Sequence, residues 1–443
     1  LACPMGEQCI EVHAEQLLGP ARLVAQGFND GVETTDNSAA LPALRPQSWV
    51  AIPGSAAYTE AHNAGAVTTA ALTDAWYNAT YSPARGGPVP PWYNLPAYAQ
   101  WVRSYVSTQM ANGVRPNYWE IQNEPDARFG GFTRTPAQAL AEFQVAAAAI
   151  RQVDPTAKIV GPSLSAYNDR PSPTLDLATF LRFASDQNIK LDAVAWHEVG
   201  ARASPFYSTP DPQSVLVHVA QVRQMIKNLP KLGHPQIFIN EYGSAAQHAI
   251  PGWTVGWIAA LEQANVDQAN RACWHSPNVF GQLKSECSEG ALDGLILGAS
   301  SLLPQAVYSV HRAYAGMTGQ RAVISSTDGN NLSAFATRDD GAGTVKVLIG
   351  RHQSCTAAVR VDCHEPLSAT PAPSDVTLQI DVPWAAALAT LEVDRIANTT
   401  GVMLGAQPVS LQLVTTGQGP IALTIGGFAD GDAYMVTLSS AGL

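Results

Sequence analysis

Two short stretches end an apolar run with a carboxyl group: "YWEIQNEPD" (118–126), which carries Glu124, and "FINEYG" (238–243), which carries Glu241. Each glutamate follows an asparagine, Asn123 and Asn240. Most glutamates are solvated surface groups, so either one alone says little. Two carboxyls held on rigid strand ends say more, because one kept protonated can donate to a leaving oxygen while the other, ionised, attacks carbon. Cleavage of a glycosidic bond asks for that pair, and the separation of the two groups decides between direct attack and attack through a water. Sequence gives no separation.

Glutamates placed this way need a sheet whose strand ends converge. Eight β-rich runs alternate with helical patterns: "RLVAQGF" (22–28), "SWVAI" (48–52), "AVTTAALTDAW" (66–76), "NYWEIQN" (117–123), "KIVGPS" (158–163), "LDAVAWH" (191–197), "QIFINEY" (236–242) and "QANRACW" (268–274). Segments 136–153, 176–188 and 212–229 carry apolar residues three or four apart, as helices facing a sheet do. Eight strand–helix units predict a (β/α)8 barrel, an α/β fold whose active sites lie at the C-terminal ends of the strands. Glu124 then ends strand four and Glu241 strand seven.

The helical period stops after 300–321, which reads as the last barrel helix. Beyond it, alternating stretches such as "TVKVLIGRH" and "SDVTLQIDV", separated by Asp328-Gly329 and Asp340-Gly341, predict an accessory antiparallel β-sandwich. The alternating "QCIEVHAEQ" (8–16) precedes the first barrel strand. The expected organisation is an N-terminal strand over 1–19 that joins the sandwich, a barrel over 20–318 and the sandwich over 319–443.

Three other features could serve such a site. His197 ends strand six; a lone histidine after an apolar run is often structural, but its place on the rim suits a group that orients the substrate or Glu241. Glu198 would point the opposite way. Hydrogen-bond donors, and the hydroxyl of Tyr242 or of a tyrosine reaching in from another loop, would keep Glu241 ionised, whereas Trp119, Pro125 and nearby aromatics would desolvate Glu124 and hold its proton. The long third connection, 74–98, is rich in proline, glycine and aromatics. Trp76 and Trp92 there are either sugar subsites or staples for the loop. Arg128 and Arg134 would meet an acidic or hydroxylated substrate, or solvent.

Composition excludes several classes. Of 443 residues, 46% are hydrophobic and 14% charged, and the net charge of -11 argues against a phosphate backbone as partner. There is no run long enough to cross a membrane as a helix. His13, His62, His234 and His248 show no metal-binding spacing, so neither metal nor cofactor is expected. Six cysteines fall into near pairs, Cys3 with Cys9, Cys273 with Cys287 and Cys355 with Cys363. These suggest three local disulfides, although six cysteines allow about 15 connectivities and free buried thiols are the alternative. The chain starts at Leu1, as a mature secreted product would, and an extracellular or periplasmic location is expected. Asn78, Asn331 and Asn398 fit the glycosylation acceptor pattern.

"WEIQNEPD" and the second glutamate on strand seven resemble clan A of the glycoside hydrolases, retaining enzymes on a (β/α)8 barrel. The barrel-then-sandwich layout, "AWHE" on strand six and "YSVHRAYAGMTGQR" are most similar to family 39, the β-xylosidase and α-L-iduronidase group. The resemblance implies that Glu124 is the acid/base, Glu241 the nucleophile, and Asn123 a ligand of the sugar hydroxyl beside the anomeric carbon. It also implies that Trp274, ending strand eight, floors the sugar, although ordinary packing explains a tryptophan there equally well. Two features depart from it: "SWVAIPGSA" lacks the strand-two arginine that many members use to bind the nucleophile, and "NEYGS" surrounds Glu241. The implied partner is a carbohydrate. The rivals are a carbohydrate-binding protein on a decayed barrel, which an intact glutamate pair opposes, and a transglycosylase. No GxSxG elbow supports a serine hydrolase.

Overall fold

The computed structural model of the 443-residue chain describes residues 8–29, 40–72, 90–127, 134–168, 173–199, 212–243, 247, 249–271, 275–277, 283–285, 294–297, 303–353, 371–385, 387–399 and 405–440. After β1 (Gln8–Pro20), eight parallel strands close a barrel. They are β2 (Gly27–Asn29), β3 (Ser48–Ala51), β4 (Val67–Leu72), β5 (Tyr118–Ile121), β6 (Ile159–Leu164), β7 (Ala193–Val199), β8 (Gln236–Gly243) and β9 (Gln268–Arg271). Each lies within or beside one of the eight expected runs. The first begins later than expected, because a turn closed by the Gln26 amide on the Leu23 carbonyl at 2.9 Å precedes it; residues 73–76 and 272–274 of the third and last runs lie outside the described residues.

The helices around the barrel are α1 (Leu41–Leu44), α2 (Ala56–Asn63), α3 (Leu95–Ala111), α4 (Pro136–Val153), α5 (Leu177–Asp186), α6 (Pro212–Lys227), α7 (Pro251–Ala264) and α8 (Ala306–Ala315). Local chemistry starts them where they start. Thr135 and Gln138 form a capping box before α4, with Pro136 in the first turn. Asp176 caps α5 by accepting from the Thr179 amide at 2.8 Å. Outward strand residues such as Trp119, Ile121, Trp196 and Ile239 pack with helix residues Phe143, Phe180 and Val219 in one large core. The lumen has an apolar bottom of Tyr118, Val160, Ala193, Ala195 and Phe238. Above it the inward residues turn polar, and that change of character is where the site begins.

Between barrel and sandwich, β10 (His275–Pro277) pairs with β11 (Leu283–Ser285), and β12 (Ile296–Leu297) with β13 (Leu303–Pro304). The C-terminal strands are β14 (Gln320–Ser326), β15 (Leu332–Asp339), β16 (Thr344–Arg351), β17 (Ser374–Asp381), β18 (Leu388–Ile396), β19 (Gln407–Thr415), β20 (Ile421–Phe428) and β21 (Ala433–Ser440). They form one nine-stranded sheet in the order β19-β18-β21-β16-β15-β14-β1-β17-β20. Ile10, Val376 and Leu378 from one flank and Val345, Leu391 and Val436 from the other share a single core, as two packed layers would. The sheet is antiparallel except where β1 runs parallel to β17. Cys9, in β1, is fully buried and is not a free thiol; Cys3, Cys273, Cys287, Cys355 and Cys363 lie outside the described residues, as does Asn78.

The sheet is keyed to the barrel through α7, which is buried almost all round, as a helix between two layers must be. Glycines make that fit possible. A Cβ on Gly252 would overlap the Arg351 backbone, one on Gly350 would meet Val255 at 2.5 Å, and one on Gly256 would meet the His352 ring at 2.7 Å. Among the described residues no helix is long and apolar enough to span a membrane.

Candidate active site

Local distortions aim the two glutamates. Along β7 and β8 the register runs Trp196↔Ile239 and then His197↔Glu241, which leaves Asn240 as an extra residue. Regular alternation would turn Glu241 to the helices if Asn240 faced the lumen; the bulge lets both face inward, and bulges recur beside active sites for this reason. Just after β5, Gln122 and Glu124 both take positive φ, 67° and 50°. Residues with side chains seldom adopt that region, so it is held by its surroundings. The Glu124 amide donates to the Ser163 carbonyl at 2.9 Å and the Gln122 amide to the Leu72 carbonyl at 3.2 Å. Ser163 is itself the extra residue of the β6–β7 pairing, with φ 54°. Asp126 then fastens the loop, accepting from the amide and hydroxyl of Ser165 at 2.9 and 2.8 Å.

His197 stands between the carboxyls. Its Nδ1 is 3.1 Å from Glu124 Oε1 and 3.1 Å from Glu241 Oε2, and the three atoms lie within 4.8 Å of one another. Burial alone would lower this imidazole, but Glu241 and Glu124 hold it well above its ordinary range. Burial pushes Glu241 up, and His197 opposes the shift. An imidazolium here favours the ionised form of a deeply buried Glu241 against the effect of burial. Asn29, at the end of β2, adds a donor to Glu241 Oε1 at 3.2 Å. The nucleophile contact that the resemblance assigns to a strand-two arginine is thus available from strand one, while Arg45 is spent on the Ala315 carbonyl at 3.1 Å. Among the described residues, this triad and the set His13, Glu15 and Asp381 are the groups with metal-ligand spacing.

Other expectations need correction. Tyr242 does not face Glu241: strand alternation turns it outward, where its hydroxyl donates to the Ala25 carbonyl at 2.9 Å and its ring packs on Trp257. Trp119 is likewise in the outer core and cannot desolvate Glu124. The order of exposure is the reverse of the expected one, since the Glu124 side chain is 31% exposed and that of Glu241 7%. Arg134 is neither a free substrate ligand nor solvated. It is buried against Glu142 at 3.1 Å, and its guanidinium covers the Trp92 ring at 5.2 Å. Breaking such a pair from one side costs about 3–5 kcal/mol, which fits a staple better than a subsite. Glu198 points away from the lumen, as alternation requires, and accepts from Trp196 Nε1 and His218 Nδ1 at 2.7 Å each. Asn123 is half-buried beside Glu124. Trp76, Trp274 and Arg128 lie outside the described residues.

Comparison with known proteins agrees with this geometry. Residues 66–349 match the profile of the glycosyl hydrolases family 39. The chain belongs to that family. This glycoside hydrolase is similar in fold to N2152 from Neocallimastix frontalis, with a TM-score of 0.75 at 20% identity, covering 98% of this chain and 100% of that one. It is also similar to a monomeric beta-xylosidase from Caulobacter crescentus CB15, with a TM-score of 0.65 at 13% identity and coverage of 98% and 100%. The GH39 enzyme from Xanthomonas axonopodis pv. citri gives 0.65 at 13% identity, covering 99% and 100%. No curated protein matches by sequence.

Three members of the site escaped the sequence reading: Asn29, Ser163 and Glu120. Asn29 closes an apolar run as Asn123 does, but no family motif marks it. Ser163 and Glu120 had no signal, because a bulge and a carboxyl in the lumen look like an ordinary strand.

Proposed function

We propose that this family 39 enzyme is a secreted retaining glycosidase that cleaves an oligosaccharide, polysaccharide or glycoconjugate by double displacement. The observation that carries the proposal is the 4.8 Å limit on the separation of the Glu124, His197 and Glu241 atoms. Retaining enzymes hold their carboxyls about 5 Å apart, whereas inverting ones leave room for a water at about 6.5–9.5 Å. In the first step Glu241 attacks the anomeric carbon and Glu124 gives its proton to the departing oxygen. In the second, Glu124 takes a proton from water, which displaces Glu241 from the sugar.

Their surroundings support those roles. Glu241 is deep and fixed by His197 and Asn29, so it meets the sugar as an oriented anion. Glu124 is open enough to exchange its proton with water, and a bound sugar would supply the desolvation that the free site leaves out. Asn123 would bind the hydroxyl next to the anomeric carbon, with Trp274 and Trp76 as candidate sugar platforms. Three local disulfides belong to the same proposal, supported by the bonded state of Cys9.

Trapping with a panel of 2-fluoro glycosides tests the assignment. Mass spectrometry is expected to find the glycosyl ester on Glu241, and the sugar that labels identifies the substrate. An adduct on any other residue overturns the nucleophile.

A further inference from the structure

One carboxyl of the lumen has no part in that mechanism. Glu120 lies on β5, one inward position above Tyr118 and four residues before Glu124, and it is 2% exposed. The Ser163 and Asn240 side chains are the hydrogen-bonding groups next to it and favour its ionised form, and Asn240 Nδ2 donates to Ser163 Oγ at 3.1 Å. Its other oxygen, Oε2, is buried without a partner among the described residues.

The two residues it holds are the two bulges that aim the catalytic pair. Ser163 accepts the Glu124 amide through its carbonyl, and Asn240 is the extra residue whose insertion turns Glu241 inward. Resting on the catalytic roles proposed above, we infer that Glu120 is a positioning residue for both glutamates at once, and that it does this as a neutral acid. Oε2, buried without a partner among the described residues, is the oxygen that can carry the proton without displacing a contact. The charged groups facing Glu120 are His197 on β7 and Glu241 on β8, with Glu124 at the exit of its own strand; Ser163 and Asn240 are neutral. Burial raises its carboxyl to about 7, against the pull of His197, Ser163 and Asn240, and Glu241 adds to the rise. A second ionised carboxylate beneath Glu241 would compete with it for the one imidazolium.

Glu120→Gln mimics the neutral acid, because its carbonyl can accept from Ser163 and Asn240 while the amide nitrogen takes the place of Oε2. Glu120→Leu keeps the volume and loses both hydrogen bonds. At pH 5 the glutamine variant is expected to keep kcat within about threefold of wild type, and the leucine variant to lose about 100-fold in kcat with KM within about threefold. Equal kcat for wild type and leucine variant overturns the proposal, and so does a glutamine variant as impaired as the leucine one. A second readout needs neither substrate nor a folded leucine variant. A carboxyl raised in the folded state stabilises it below its unfolded value of about 4.5, and that stability is lost as pH climbs towards 7. Glu120→Gln cannot lose it. Its Tm minus that of wild type is expected to rise between pH 4.5 and 7 and then level off; a difference constant with pH overturns the neutral acid. If 2-fluoro labelling missed Glu241, the catalytic roles would fall while this Tm experiment still judged Glu120.

Discussion

Two fully buried histidines show how this protein separates chemistry from architecture. His197, in the lumen, faces Glu124 and Glu241 and is held well above the ordinary imidazole range. His352, at the seam between barrel and sheet, meets the Ser333 hydroxyl at 2.8 Å and the Trp253 ring, and burial lowers it to about 4. Burial favours the neutral ring in both places. What differs is the balance of charge: at His197 two glutamates outweigh burial, whereas at His352 the pull of Asp328 does not. The lumen concentrates charge beneath a bulged rim, and the seam closes on glycines.

The sharpest way to break that comparison is to remove the charge His197 serves. Glu241→Gln is expected to lower kcat by about 10⁴-fold or more, equivalent to about 5.5 kcal/mol, with Tm within a few degrees of wild type. Steady-state kinetics beside a thermal melt would check it. A loss of stability in proportion to the loss of rate would make the lumen a structural device like the seam.

At the seam the effect should be on stability and should run with pH. A histidine depressed from 6.5 to about 4 contributes stability above its unfolded value, and this is lost as pH falls through 6.5 towards 4. That window is worth about 3 kcal/mol. His352→Gln is expected to flatten this acid limb in denaturant titrations at pH 4 to 7. The sign is opposite to that expected for Glu120, so one protein carries a group that prefers acid in the lumen and one that resists it at the seam. Somewhat smaller is Gly252→Ala, whose Cβ would meet backbone rather than a movable side chain. It should destabilise by about 2–3 kcal/mol by overpacking while leaving kcat of the folded enzyme unchanged. A tolerated alanine would mean that the seam is looser than its glycines indicate.

Sequence made the frame of both regions legible because their signals are periodic. Eight apolar runs between helical patterns suffice for the barrel, and the change to alternation near residue 320 marks the sheet. Glu124, Glu241 and His197 were readable because each closes a strand. What stayed hidden depended on register. The bulge at Asn240 leaves no mark in "FINEYG", and without it nothing predicts that two consecutive residues face inward. Tyr242 was misplaced for the same reason: its neighbour's function suggested the lumen, and alternation sent it to Trp257. Arg134 was misread because its partner Glu142 lies on the far side of the capping residue, within the first two turns of α4. The exposure of Glu124 and Glu241 depends on how the connections close over the rim, which no local pattern records.

Glu198 gives the smallest and most discriminating test, since it is adjacent in sequence to His197 and on the opposite face of the same strand. Both of its contacts, from Trp196 Nε1 and His218 Nδ1, fall on one oxygen, Oε1. A glutamine oxygen can accept both, so Glu198→Gln exchanges charged hydrogen bonds for neutral ones while keeping the shape of the side chain. Hydrogen bonds to charged groups exceed neutral ones by about 1 kcal/mol, and a stability loss of that size is expected. The pH profile of kcat/KM should not move. A third carboxyl serving the reaction would behave differently: its loss would reduce kcat by about 100-fold or displace a limb of the profile. Such a result would mean that strand alternation does not separate the lumen from the outer layer here, and with it the distinction between the site and its frame would fail.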